Sequence, residues 1–316
     1  MPTINFQTCT GESRSYIAFR MQHRPCPALL HSTDPAQQEL EATVFRALGE
    51  IRSPSAHPFH VKRIRLSKAH VPIVFLDGAT GKVDVSATFL EVCLPGADGG
   101  SPAAGFGVRI LHIHGRDLVL GLVETDARVI IRGSADTDWN ALRSAHSRQV
   151  QGNGTPLWHE KRWTPAELAL RDHPSSVSPE PRVRMESMLL RRIAIFTSFS
   201  SAHRTYAYAG GPDTTKMWLE YDPAVPKRHD ELVSALTDPT WGLAMRVESD
   251  DCACACATDG MCVTVLTTAA GDATLRLQSV ADRPVWGREY FEEIDAPRKW
   301  LNRAVPVGLT PHPPTD

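Results

Sequence analysis

The stretch that decides the fold is MESMLLRRIAIFTSFSSAHRTYAY, residues 185–208. Met185, Leu189, Ile193 and Phe196 recur at three- and four-residue spacing, the apolar stripe of one helix face. No glycine or proline interrupts the run before Gly210-Gly211-Pro212, which supplies a stop. The spacing predicts one long helix over Met185–Tyr208.

Outward from that helix the elements are shorter. Upstream, Ile4, Phe6 and Thr8 alternate as in a half-buried strand, and a helix opens at Ser15-Tyr16-Ile17-Ala18-Phe19. A second helix is expected at Gln37–Leu48, and Ile64–Val92 has strand character. Pro95–Ala104 reads as a loop. Val108–His114, Leu118–Val123 and Val129–Ile131 are β-rich, with a turn at Glu124-Thr125-Asp126. Residues 140–160 are polar and irregular, and Thr164-Pro165-Ala166-Glu167 starts a helix with a capping pair. His173–Pro181 reads as a loop. Downstream come a helix at His229–Leu236, the pair Trp241-Gly242, and a hairpin of Met261–Thr268 with Ala273–Val280 turned at Gly271-Asp272. No internal repeat is read. The order implies an α+β fold: an N-terminal mixed sheet with helices, a central helical block and a C-terminal β-hairpin. We expect a single unit over residues 1–300, sheet-rich over 1–184, helical over 185–240 and a hairpin part over 241–300, with a tail at 301–316.

Composition excludes several classes. The 316 residues are 42% apolar and 22% charged, ordinary for a globular fold. No run approaches the roughly 18 apolar residues of a membrane span, and no signal peptide is read at the N-terminus. Seven cysteines, an odd number, fit a reducing compartment, so a cytoplasmic location is expected. A formal charge of −2 argues against general binding to nucleic-acid phosphates and leaves room for a local pocket taking one exposed base.

Several features fall in a telling order: Ile4-Asn5-Phe6 before the Ser15–Phe19 helix start, a hairpin ending near Arg128-Val129-Ile130-Ile131, Ser200-Ser201-Ala202-His203-Arg204 in an apolar helix, then Trp241-Gly242 before a last hairpin. In this the chain resembles the ribosome-inactivating proteins, the plant-defence toxins that remove one adenine from the sarcin–ricin loop of large-subunit rRNA and so stop protein synthesis. The resemblance runs over residues 3–290 and implies that fold, the rRNA N-glycosylase activity, the ribosome as partner and adenine as pocket ligand. No membrane partner and no lectin chain are expected.

Such chemistry needs a carboxylate for the cationic sugar, an Arg for the leaving base and aromatic rings around it. The resemblance places Arg204 at the Arg position and Ser201 at the position of the catalytic Glu. A hydroxyl carries no charge to offset a developing cation, and losing such a group typically costs about 10²–10³ in rate. The expectation is therefore weak or lost activity, or a non-catalytic descendant that binds adenine, RNA or a protein. Arg128 and Trp163 match the two stacking positions, Trp241 the ring beneath the pocket, and Asp238 a second acid that could stand in for the missing one. Read alone, Trp163 and Trp241 are core residues and Arg128 a solvated strand residue.

Metal readings are weak. Cys252, Cys254, Cys256 and Cys262 do not split into the two spaced pairs of a structural zinc site. His229-Asp230-Glu231 lacks the P-C-x-x-C of zinc deaminases, and His112-x-His114 has no companion carboxylate. No metal and no cofactor are expected.

Overall fold

A computed structural model describes residues 4–20, 27–67, 69–78, 83–94, 106–151, 160–171, 178–200, 202–221, 228–251, 261–281 and 288–294. The fold is a mixture of helices and two five-stranded mixed sheets, as the α+β reading requires.

The first sheet holds β1 (Val61–Leu66), β2 (Pro72–Leu76), β3 (Val108–His114), β4 (Asp117–Leu122) and β5 (Arg128–Arg132), in the order β1-β2-β5-β4-β3. The second holds β6 (Arg204–Ala209), β7 (Thr214–Tyr221), β8 (Met245–Asp250), β9 (Cys262–Thr268) and β10 (Thr274–Ala281), in the order β6-β7-β10-β9-β8. The two orders are the same order. In each sheet the second and fifth strands run parallel, and every other neighbour pair is antiparallel.

The helices repeat with the strands. α3 (Pro35–Gly49) precedes β1, and α7 (Glu180–Arg191) with the short α8 (Ala194–Phe199) precedes β6. α4 (Val85–Cys93) separates β2 from β3 as α9 (His229–Leu236) separates β7 from β8. α5 (Trp139–Gln151) follows β5 as α10 (Arg288–Glu293) follows β10. The chain is thus an internal duplication, which corrects the expectation of no repeat. α1 (Phe6–Thr10), α2 (Arg14–Arg20) and α6 (Pro165–Arg171) stand outside it.

Once the two copies are laid together, sequence traces emerge. Leu40-Glu41 and Val44-Phe45-Arg46 in α3 recur as Met185-Glu186 and Leu189-Leu190-Arg191 in α7. Asp126-Ala127 leads into β5 as Asp272-Ala273 leads into β10. α3 and α7 pack on each other, and the recurring charges pair reciprocally across them. Arg191 reaches Glu41 at 2.6 and 2.7 Å, and Arg46 Nε stands 3.3 Å from Glu186 Oε2. Glu41 and Glu186 are fully buried. A buried carboxylate needs such partners, since breaking one of these pairs typically costs about 3–5 kcal/mol.

The predicted helix over 185–208 does not form as one piece. α7 ends at Arg191, and the backbone tightens to bonds three residues back at Arg192, Ile193, Ile195 and Phe196. The kink turns Arg192 inward. Its guanidinium donates to the carbonyls of Trp241 and Leu30 at 2.7 and 2.6 Å and lies 2.8 Å from His31 Nε2. α8 stops at Phe199, Ser200 is extended, and residues 204–209 are a strand. The expected helical block over 185–240 therefore contains the hairpin β6–β7.

Three smaller expectations also change. Ile4–Thr8 is not a strand: Asn5 and Thr8 close a capping box that starts α1. Residues 140–151 are helical, because Asp138 accepts from the N–H groups of Asn140 and Ala141 and Trp139 is buried with its indole bonded to Arg116 O. The second half of Ile64–Val92 is the helix α4, capped by Asp84. The Pro95–Ala104 loop lies outside the described residues. The helices at 37–48, 165–171 and 229–236 and the late hairpin form as expected. Among the described residues no helix is long and apolar enough to cross a membrane.

Candidate functional site

Each residue singled out from the sequence has a described engagement, Ser201 apart, and these engagements lie in different places. Arg204 opens β6, and its Nη1 donates to Glu220 Oε2 on β7 at 2.6 Å. Ser201 lies outside the described residues. Because Arg204 sits on a strand, the helix that was to hold both over one cleft is absent. Asp238 uses one carboxylate oxygen to accept from the N–H groups of Thr240 and Trp241, shaping the turn after α9. Trp241 packs against the core, and its carbonyl receives Arg192. Trp163 lies over Gly107 at the mouth of β3: a Cβ there would collide with the ring, and φ of +75° suits only glycine. Arg171 also lies over that ring, 5.0 Å from its centroid. Arg128 Nη1 donates to the carbonyls of Thr125 and Ala127 on the first sheet. Arg128 and Trp163 therefore belong to the first sheet and Arg204 to the second.

What does gather around Arg204 is the outer face of the second sheet. Thr205, Ala207, Met217, Leu219 and Tyr221 point into the core, so Arg204, Tyr206, Tyr208, Lys216, Trp218 and Glu220 point out. Strand register pairs Arg204 with Glu220, Tyr206 with Trp218 and Tyr208 with Lys216. The three rings form a near-parallel row. Tyr206 and Trp218 centroids are 5.9 Å apart with planes 16° apart, and Tyr206 and Tyr208 are 6.3 Å apart at 21°. Face-to-face contact would bring ring carbons within about 3.5–4.0 Å. At these spacings the rings are offset and keep part of their faces open, and all three residues are half-buried.

Cations frame the row. Arg52 lies 5.3 Å over Tyr206 and Lys216 Nζ 5.9 Å over Tyr208, and Arg276 on β10 sits beside Lys216. Two acids are nearby: Glu220, paired with Arg204, and Glu50, 3.8 Å from Arg52. Burial, then Glu220 and Tyr208, push the Tyr206 phenol up to about 12, so it remains a neutral donor.

The segment that follows Arg52 includes a strained loop. Phe59 and His60 both adopt left-handed backbone, φ +56° and +57°, which costs roughly 1–3 kcal/mol per non-glycine residue. The strain is met by burial of Phe59 between Phe45 and Phe196, and by two hydrogen bonds. Phe59 N–H donates to Thr205 Oγ1 at 2.6 Å, and Asp77 N–H to His60 O at 2.7 Å. The loop is thereby pinned to the residue next to Tyr206.

Sequence reading missed Tyr206, Tyr208, Lys216, Trp218 and Arg276. The signal was present: Arg204–Ala209 and Thr214–Tyr221 alternate polar and apolar about Gly210-Gly211-Pro212, a period of two rather than 3.6. Of the cysteine cluster, Cys252, Cys254 and Cys256 lie outside the described residues and Cys262 is buried; no metal-binding group of His, Cys, Asp and Glu occurs among the described residues. Comparison with family models, curated proteins and solved structures finds no match for this chain.

Proposed function

We propose that this chain binds an unpaired nucleic-acid strand, RNA by its sequence resemblance, on the outer face of the second sheet, as a binder rather than an enzyme. The observation that supports it is the row Tyr208-Tyr206-Trp218 with Arg52, Lys216, Arg204 and Arg276 around it. Rings on a sheet offer stacking faces to two or three splayed bases, and the flanking cations meet the phosphates between them. The overall charge of −2 does not oppose this, since the positive charge is local.

The test is titration of a fluorescent oligoadenylate at several salt concentrations. Affinity is expected to fall on Trp218→Ala, and replacing Lys216 or Arg276 by Gln should reduce the salt slope by about 0.7 for each phosphate that is no longer neutralised. A duplex bound as tightly as the single strand would sink the proposal.

A second reading keeps the ribosome-inactivating fold and its chemistry, adenine removal from large-subunit rRNA. One observation favours it: Glu220 puts a carboxylate 2.6 Å from Arg204 and beside the ring row, supplying the residue types that Ser201 alone lacks. The pair lies on an open sheet face rather than in a helix-lined cleft, which is why binding is preferred. Incubation with ribosomes separates the two. The binding proposal expects no free adenine; release that disappears with Glu220→Gln would establish the second reading.

A further inference from the structure

The outer face of the first sheet is the duplicate of the ring-bearing face, and it carries different chemistry. Strand register lays two rows across it. One runs Arg63, Phe75, Arg132, and the next runs Arg65, Ile73, Ile130. All six are half-buried.

Three guanidiniums converge on one ring. Arg63, Arg65 and Arg132 stand 4.2, 5.1 and 5.1 Å from the Phe75 centroid. Two carboxylates answer them. Glu12 receives Arg65 in hydrogen bonds of 2.9 and 3.3 Å, and Asp117 receives Arg132 in two of 2.5 Å. Arg63 shares Glu12 without a hydrogen bond: its Nε forms an ion pair with Glu12 Oε1 at 3.6 Å, too far for a hydrogen bond, and that Nε has no hydrogen-bond partner. Among the described residues the face therefore carries Arg63, Arg65, Arg128 and Arg132 against Glu12 and Asp117, and the Arg63 fork is already stacked against a ring. Such a fork suits a carboxylate taken through two parallel bonds.

Beside this charged row is an aliphatic one. Ile73 and Ile130 pair across β2 and β5, and a bulge in β3 after Ile110 brings Leu111, 41% exposed, over the bare Cα of Gly121. Bases gain little here. Phe75 is covered by three guanidiniums and the Tyr16 ring by that of Arg65, 3.9 Å from its centroid, while branched aliphatic side chains reward partners that are themselves aliphatic.

From this geometry we infer that the outer face of the first sheet docks an acidic, amphipathic segment of a partner protein. Its apolar side chains lie on Ile73 and Ile130, and a carboxylate closes on Arg63. The inference does not rest on nucleic-acid binding by the other sheet.

The experiment follows isoleucine and leucine methyl signals of the labelled full chain. The probes are a synthetic peptide alternating glutamate with leucine, its twin with lysine for glutamate, and the oligoadenylate. The glutamate peptide is expected to move the Ile73, Ile130 and Leu111 signals. Arg63→Ser should weaken it about tenfold, one charge-assisted bond's share. Signals away from this face should hold still in that variant, showing that it folds. Equal binding by the lysine twin, movement of the same methyls by oligoadenylate, an unchanged affinity in Arg63→Ser, or no movement at about 1 mM glutamate peptide would each overturn the inference.

Discussion

The two halves of this molecule share a strand order, a helix order and a buried Glu–Arg pair, yet their outer faces have separated. In the first half an arginine-rich row leans on Phe75 beside isoleucines; in the second, three rings stand among scattered cations. Inside, the duplication has been kept where a change would strand a charge: Glu41 faces Arg191 and Glu186 faces Arg46. Outside, positions in register were free to differ. Duplication preserved the buried electrostatics and released the surface for new contacts.

The most damaging way to break the comparison is to attack what the halves share. Glu41→Ala should leave Arg191 and Ser187 in the core without their acceptor. A stability loss of about 3–5 kcal/mol is expected in urea unfolding. Glu186→Ala should fall in the same range: Arg46 can still reach Glu39 at 3.0 Å, but buried Arg182 and Thr215 lose the carboxylate they donate to at 2.9 and 2.7 Å.

The second prediction concerns a group that only the first half has. Burial holds the His60 imidazole down at about 4. A depressed folded value means that the unfolded chain takes up the proton first. The stability is therefore complete above pH 6.5 and is lost as pH falls toward 4. The shift corresponds to on the order of 3 kcal/mol. His60→Asn should flatten the decline in a series of urea unfolding curves across that window; an unaltered pH profile would show that other groups carry it.

The third prediction acts on what distinguishes the halves. Trp218→Ala is expected to weaken oligoadenylate binding by about 1–3 kcal/mol, roughly 5- to 150-fold, with folding unharmed. The duplicated face offers a control: Phe75→Ala should leave that affinity unchanged. The smallest effect is expected for Lys216→Ala, which leaves the ring row in place and removes one cation, lowering the salt slope by about 0.7 if one phosphate contact is lost. Anisotropy titration resolves both.

Legibility in the sequence followed locality. Thr164 and Glu167 signalled α6 because a capping pair is read within four residues, and both bonds form: Thr164 N–H donates to the Glu167 carboxylate and Glu167 N–H to Thr164 Oγ1. The same chemistry at Asn5 and Thr8 was overlooked, because Ile4, Phe6 and Thr8 also satisfy a strand period. Around residues 185–208 a helical stripe and a strand alternation abut without a proline or glycine between them, so the first pattern swallowed the second. The duplication was hidden because it survives in few identities, such as Glu41 with Glu186 and Arg46 with Arg191, and those matter only once α3 and α7 are seen packed together. As for the candidate site, Arg204 was singled out from the sequence, while its neighbours on the sheet depended on strand register, which links residues that no spacing rule connects.

Arg192 carries a last consequence, for the order of assembly. Its counterpart in the first half is Ala47, so this guanidinium is an addition to the repeat. Its acceptors on Leu30 and Trp241 lie 162 and 49 residues away along the chain. Early collapse of α7 alone would trap a bare cation, and long loops must close before it finds relief. The residue therefore acts as a latch that rewards only a chain whose distant parts have already met.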